Sequence, residues 1–165
     1  MVETAKADLL QLLHNITRGN NNGKPITDLE RVRLFRQLTE MCELPSFELL
    51  LPLILNLDGK PYTLKNHFPF EPVFKTVLPS ELCLRTARQV SKSTSVAARN
   101  LILATAIPFF RILFVTPLYE QIRRFSTNYV RKFIEESPLK EAWCNTRTEN
   151  SVLQRSFANH SQMYF

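Results

Sequence analysis

The order of apolar and polar segments between residues 81 and 136 constrains the fold more than any other feature of the chain. Glu81-Leu82-Cys83-Leu84-Arg85-Thr86 reads as a short buried strand, and a polar stretch follows it. Ser93 to Ala106 has helical spacing, with small residues at Ala97, Ala98, Ala104 and Ala106, and Pro108 stops it. Arg111 to Thr116 (RILFVT) is a second buried-strand candidate, stopped by Pro117. Beyond it a long amphipathic helix carries Ile122, Phe125, Tyr129 and Phe133 on one stripe and ends before Ser137-Pro138. Strand, loop, helix, strand, helix is the order of a right-handed parallel β-α-β unit, so an α/β module is expected from about residue 79.

Upstream the rhythm is helical. Leu9, Leu10, Leu12, Leu13 and Ile16 predict a first helix over 2–17, before the turn-forming residues Gly19 to Gly23. Thr27 with Glu30 three residues on is a capping box, opening a second helix through Leu34, Phe35, Leu38 and Met41. A third is expected from Ser46 to about Leu57, closed by Asp58-Gly59-Lys60-Pro61. The expected division is therefore an N-terminal helical section over 1–57 and an α/β module over 58–165. Between Lys60 and Pro79, prolines at 61, 69, 72 and 79 interrupt regular structure while Tyr62, Phe68, Phe70 and Phe74 supply apolar area, which predicts an ordered, packed loop. The last segment, VLQRSFANHSQMYF, reads as two strands joined around Asn159-His160.

At 165 residues the chain can bury roughly 70% of its unfolded surface around one core. Its longest apolar run, Leu49 to Leu55, contains Pro52 and is far shorter than the roughly 20 residues of a membrane-spanning helix. The opening MVETAKADLL lacks the apolar core of a secretory signal, which leads to the expectation of an intracellular protein with its three cysteines, Cys42, Cys83 and Cys144, reduced and structural. Twenty-one Lys and Arg against 15 Asp and Glu leave a net charge of +6, suited to an anionic partner such as nucleic acid or nucleotide. His14, His67 and His160 have no metal-ligand spacing with Cys or acid, and no G-x-S-x-G element is present.

The polar stretch carries the chemistry. In a phosphate-binding loop a strand feeds a tight turn whose N–H groups and helix N-terminus surround the phosphates; a Lys reaches the β and γ groups, and the next hydroxyl ligates Mg²⁺. Lys92 and Ser93 occupy the places of that Lys and that hydroxyl, with Thr86 and Ser91 at the two glycine positions of GxxxxGK[ST].

The wording of this region, LCLRT, then ARQVSKSTS, then RILFVTPLYEQIRRFSTNYVRKFIEESP, resembles the N-terminal ATPase of the terminase large subunit of tailed viruses, the DNA-packaging motor. The resemblance spans roughly 50–165, taking in LDGKPYTLKNHFPFEPVF upstream and VLQRSFANHSQMYF downstream, and the loop departs from the family pattern at Ser91, which stands for Gly. It implies ATP and Mg²⁺ as cofactors, with Ala87, Gln89, Val90, Ser91, Lys92, Ser93 and Thr94 around the phosphates, Ser93 as a Mg²⁺ ligand and Arg88 as a candidate arginine finger. It places the adenine side among the aromatics from Phe68 to Phe74, where Glu71 stands in place of the usual Gln. It further implies double-stranded DNA, a small terminase subunit and a portal as partners, no membrane, and the cytoplasm of an infected host cell as location. Arg123, Arg124, Arg131 and Lys132 on the basic helix face are candidate DNA contacts.

All three aspartates, Asp8, Asp28 and Asp58, lie in the first 58 residues. ATPases of this class also hold magnesium with an Asp at the end of a later strand, followed by a Glu that positions water. Neither follows an apolar strand here, and Glu135-Glu136 fall at a helix end. The expected fold is thus an incomplete P-loop parallel sheet, without the coupling motif or nuclease domain, and the chain is expected to be the N-terminal piece of a larger motor whose C-terminal half is a further partner. The alternative is a basic module that binds nucleic acid or a packaging partner with a degenerate, non-hydrolysing loop.

Overall fold

A computed structural model describes residue 11 and residues 26–40, 47–75, 81–143 and 151–165. Apart from Gln11, which is helical, the expected helix over 2–17 and the turn after it lie outside the described residues, as do Cys42 and Cys144.

Helix α1, Asp28–Glu40, begins where the capping box places it. The Thr27 N–H donates to Glu30 Oε2 at 2.9 Å and the Glu30 N–H donates to Thr27 Oγ1 at 3.4 Å, so two donors that the helix start leaves open are used locally. Helix α2 is Phe47–Ile54, shorter than the 46–57 expected, and tolerates Pro52 in its last turn. The chain then turns: β1 (Asn56–Leu57) pairs antiparallel with β2 (Lys60–Pro61) around Asp58-Gly59, both of which have positive φ. Leu57 is therefore in a hairpin, because a left-handed pair of residues reverses the chain where a helix would continue it.

The proline-rich stretch is less irregular than expected. Short 3₁₀ turns at Leu64–Asn66 and Phe68–Phe70 lead into a five-residue helix, α3 (Glu71–Lys75), with Phe70, Val73 and Phe74 buried. Prolines at the first turn of such helices cost no hydrogen bond.

Helix α4, Lys92–Ala106, is the centre of the packing. Ala97, Ala98, Leu101, Ile102 and Ala104 have no exposed surface, and the small residues let α2 and the later helices approach closely. Strand β3 is Arg111–Leu113, three residues rather than six. The long helix expected after Pro117 forms as α5 (Tyr119–Arg124), a π-helical turn (Phe125–Arg131) and α6 (Lys132–Glu136), followed by α7 (Leu139–Trp143). The C-terminal segment forms the expected two strands, β4 (Gln154–Ser156) and β5 (Gln162–Tyr164), antiparallel to each other.

The sheet is mixed, in the order β3-β5-β4, and β3 runs parallel to β5 with Ile112 opposite Met163. The parallel pairing implied by the element order is thus made between β3 and β5, one unit later than expected. The strand expected at 81–86 is absent: residues 81–87 carry no secondary structure, Leu82 is 49% exposed, and the β-α-β unit through α4 lacks its first strand. Apolar residues make a strand only when a neighbour takes up the backbone groups, and no described segment does so here.

One core runs through all of this, from Phe35, Leu50 and Ile54 to Leu101, Phe133 and Met163. Phe114 stacks on Phe125 at 4.0 Å, holding the end of β3 against the π turn. Asn159 Nδ2 donates to Ala104 O at 2.8 Å and Thr105 O at 3.2 Å, and Ser161 Oγ donates to Ile107 O at 2.8 Å, so the β4–β5 turn supplies the donors that the C-terminus of α4 lacks. Among the described residues no helix is long and apolar enough to cross a membrane. The result is an α/β molecule with a small mixed sheet and a loop, residues 87–91, standing at the N-terminus of its most buried helix.

Candidate phosphate-binding loop

Lys92 is the first residue of α4, and Ser91 precedes it in the left-handed region at φ 62°, ψ 24°. Two residues earlier Gln89 is also left-handed, at φ 61°. Left-handed residues set among ordinary ones turn successive backbone N–H groups toward one side, which is how a backbone nest receives an anion. The helix adds its own unpaired N–H groups at the first turn, and the partial positive charge of its N-terminus acts in the same direction. No side chain caps this end and no acid lies in the first turn, so nothing within the helix competes for those donors.

Ala87, Arg88, Gln89 and Val90 are exposed, as is Lys92, whereas Ser91, Ser93 and Thr94 are half-buried. Arg88 and Lys92 make no ion pair among the described residues. The first turn is anchored from below, where the buried Ser95 Oγ lies 3.4 Å from the Tyr62 hydroxyl and the Ser95 N–H donates to Ser91 O at 3.0 Å. Burial pushes the Tyr62 hydroxyl above its ordinary range, so it remains a neutral partner near neutral pH. The loop can therefore offer two exposed cations and the N–H donors of a helix start on a hydrogen-bonded base.

The donor set fits phosphate better than it fits a metal. Ser93 supplies one hydroxyl; its remaining companions in a Mg²⁺ shell would be phosphate oxygens and water. Among the described residues no cluster of three His, Cys, Asp or Glu is placed to hold a metal ion. On the adenine side Phe70 and Phe74 are buried in the core, Phe68 is 71% exposed, and Glu71 is half-buried.

The basic helix face divides in two. Arg131 Nε is 2.7 Å from Glu135 Oε1, and Lys132 Nζ is 2.6 Å from Asp58 Oδ1. The Asp58 hydrogen bond, with the charges of Asp58 and Glu136, raises the affinity of Lys132 for its proton. Arg123 and Arg124, in the last turn of α5, are exposed and make no ion pair among the described residues. Of the four candidate DNA contacts, these two have uncommitted charge.

Two features were not marked by the sequence. Arg31 is buried, donating to Pro52 O at 2.6 Å and Asn56 Oδ1 at 2.8 Å as well as pairing with Asp28; its spacing from Phe35 and Leu38 puts it on the apolar face of α1, a signal that its charge obscured. A groove of about 500 Å³ lies between α1 and the α6–α7 junction, beside Leu29, Arg36, Pro138 and Glu141, and no residue of the 87–94 loop lines it. Cys83, expected as a structural thiol, is exposed and free.

No protein family, curated protein or solved structure matches the chain.

Proposed function

We propose that this chain is a nucleotide-binding ATPase segment of the terminase large-subunit type, in which the loop from Ala87 to Thr94 receives the phosphates of ATP and Ser93 contributes a hydroxyl to Mg²⁺. Lys92 neutralises phosphate charge, and Gln89, Val90 and Ser91 present backbone N–H groups. Arg88, exposed beside the loop, is free to face a phosphate of its own or a neighbouring site. Bound Mg²⁺ would supply charge neutralisation at the transferring phosphoryl group. Packaging of double-stranded DNA, the small terminase and portal partners, the C-terminal motor half and the host cytoplasm belong to the same proposal.

The observation that carries it is the backbone at Ser91. A serine held left-handed one residue before a helix-starting Lys-Ser pair is where a phosphate loop needs glycine, and the chain adopts that conformation despite its Cβ. Titration calorimetry with Mg·ATP and with inorganic pyrophosphate tests the reading. Lys92→Ala should lower affinity for both by at least about tenfold while leaving the ligand-free thermal midpoint within about 1 °C, since an exposed lysine contributes little to stability. Equal affinity in both forms rejects the site.

A second reading, a basic module that binds DNA without nucleotide, is favoured by the uncommitted Arg123 and Arg124. The same Lys92→Ala protein separates the two, because DNA binding that needs no nucleotide and survives this substitution belongs to the second reading.

A further inference from the structure

Two turns meet beyond the C-terminus of α4, and each holds a ring on an unusual backbone. Phe109 has φ 59° and His160 has φ 65°, both in the left-handed region that a residue with a Cβ enters at a cost. Their rings lie nearly parallel, at 12°, with centroids 5.0 Å apart. Hydrogen bonds lock the two turns to each other and to the helix end. The Phe109 N–H donates to Asn159 O at 3.1 Å and the Phe110 N–H to Ser161 Oγ at 3.0 Å, while Asn159 Nδ2 and Ser161 Oγ donate to Ala104 O and Ile107 O. Burial does not account for the ring at 109, which is 71% exposed although one face rests on His160. Backbone preference does not account for it either, since glycine suits that conformation and phenylalanine does not. Residues held in such conformations by their surroundings cluster where ligands are gripped.

We propose that the outer face of Phe109, backed by His160, is a stacking platform for one unpaired base of a single-stranded nucleic acid. A flat π ring fixed open to solvent takes a further planar ring by stacking, and base–aromatic stacking of this kind holds single strands with little regard to sequence. Charge favours a strand as the source of the planar ring. Residues 82–119 and 151–165, which supply α4, the mixed sheet and both turns, contain no Asp or Glu, and the chain as a whole carries +6. Arg111, two residues beyond Phe109, is exposed, and a cation beside a stacked base suits the phosphate that accompanies it. The carbonyls that make a helix C-terminus unfavourable to phosphate are in part already taken up by Asn159 and Ser161. A duplex does not suit the platform, because its bases are stacked on one another. Lys92 opens α4 and the platform lies past its other end, about 22 Å away along a 15-residue helix. The platform is thus separate from the phosphate loop and stands whether or not that loop binds nucleotide.

The probe is an oligothymidylate of about twelve nucleotides, with 5-iododeoxyuridine at one position for crosslinking. Irradiated with the full chain, the iodinated base should crosslink to Phe109 or His160, as read by peptide mass. In fluorescence anisotropy Phe109→Gly, which suits the left-handed backbone, should weaken single-strand binding by about tenfold and leave duplex binding within about twofold. Lys92→Ala should leave single-strand binding within about twofold. Crosslinks confined to other residues, no single-strand binding, an unchanged affinity in Phe109→Gly, or equal losses on strand and duplex would overturn the platform. A loss in Lys92→Ala as large as that in Phe109→Gly would do the same, by placing the strand on the phosphate loop. Thymidine monophosphate should compete only far above the oligonucleotide concentration, and competition at equal concentration rejects a strand in favour of a free nucleotide. If Phe109→Gly does not fold, His160→Asn decides, since asparagine tolerates positive φ and removes the supporting ring. It should weaken single-strand binding by at least about threefold with duplex binding unchanged, and equal affinity rejects the proposal.

Discussion

At the scale of single residues, the most informative positions are those where the backbone leaves the ordinary region. Among the described residues five non-glycine positions have positive φ: Asp58, Gln89, Ser91, Phe109 and His160. Asp58 and His160 sit in turns that their sequences announce. Ser91 does not, because a serine is compatible with many conformations and only the junction of loop and helix makes it left-handed. That conformation costs an L-residue roughly 1–2 kcal/mol, part of which glycine gives back through its greater freedom in the unfolded chain. Ser91→Gly should therefore stabilise the ligand-free protein by about 0.5–1 kcal/mol, seen as a midpoint about 2 °C higher in a thermal melt. A lower midpoint would mean that the serine side chain contributes something the left-handed backbone does not explain.

At the scale of elements, helix starts were legible because their signals are local. The Thr27–Glu30 box is satisfied by atoms three residues apart in sequence, and α1 begins beside it. Thr27 donation from its backbone and hydroxyl holds the Glu30 carboxyl below its ordinary value of 4.5. A lowered carboxylate contributes its stabilisation above the unfolded value and loses it as pH falls through the folded one. Thr27→Ala should then lower the thermal midpoint by about 3 °C at pH 7, with the gap narrowing as the pH falls below 4.5. Melts across that range check both the size and the sign. The lack of the strand expected at 81–86 and the presence of the π turn were not legible for the opposite reason. A strand needs a partner distant in sequence, and a π turn adds one residue per turn where the apolar stripe of Ile122, Phe125, Tyr129 and Phe133 still reads as an ordinary helix.

For the whole molecule, the charge distribution decides what the chain can do by itself. Phosphate binding asks for N–H donors and cations, and residues 87–94 have both. Hydrolysis asks also for a carboxylate on Mg²⁺ and another on water, and residues 59–165 contain no aspartate. Binding substrate without further stabilisation of the transition state gives no acceleration. The 165-residue chain supplied with Mg·ATP should therefore release phosphate well below the roughly 1 s⁻¹ at which ordinary enzymes begin. A phosphate-release assay showing faster turnover, abolished by Lys92→Ala, would place catalytic carboxylates among the glutamates and reverse this conclusion.

The sequence by itself determined the helix starts at Thr27 and Lys92, the turn at Asp58-Gly59, the C-terminal hairpin and the place of the Lys-Ser pair, since each follows from residues within a few positions of one another. Tertiary structure alone decided that β3 joins β5, that Arg31 is buried against Pro52 and Asn56, that Asp58 takes up Lys132, and that 81–86 has no paired strand among the described residues. The first three depend on pairings across 21 to more than 50 residues. Such pairings are settled by which backbone and charged groups meet once the core around α4 has closed.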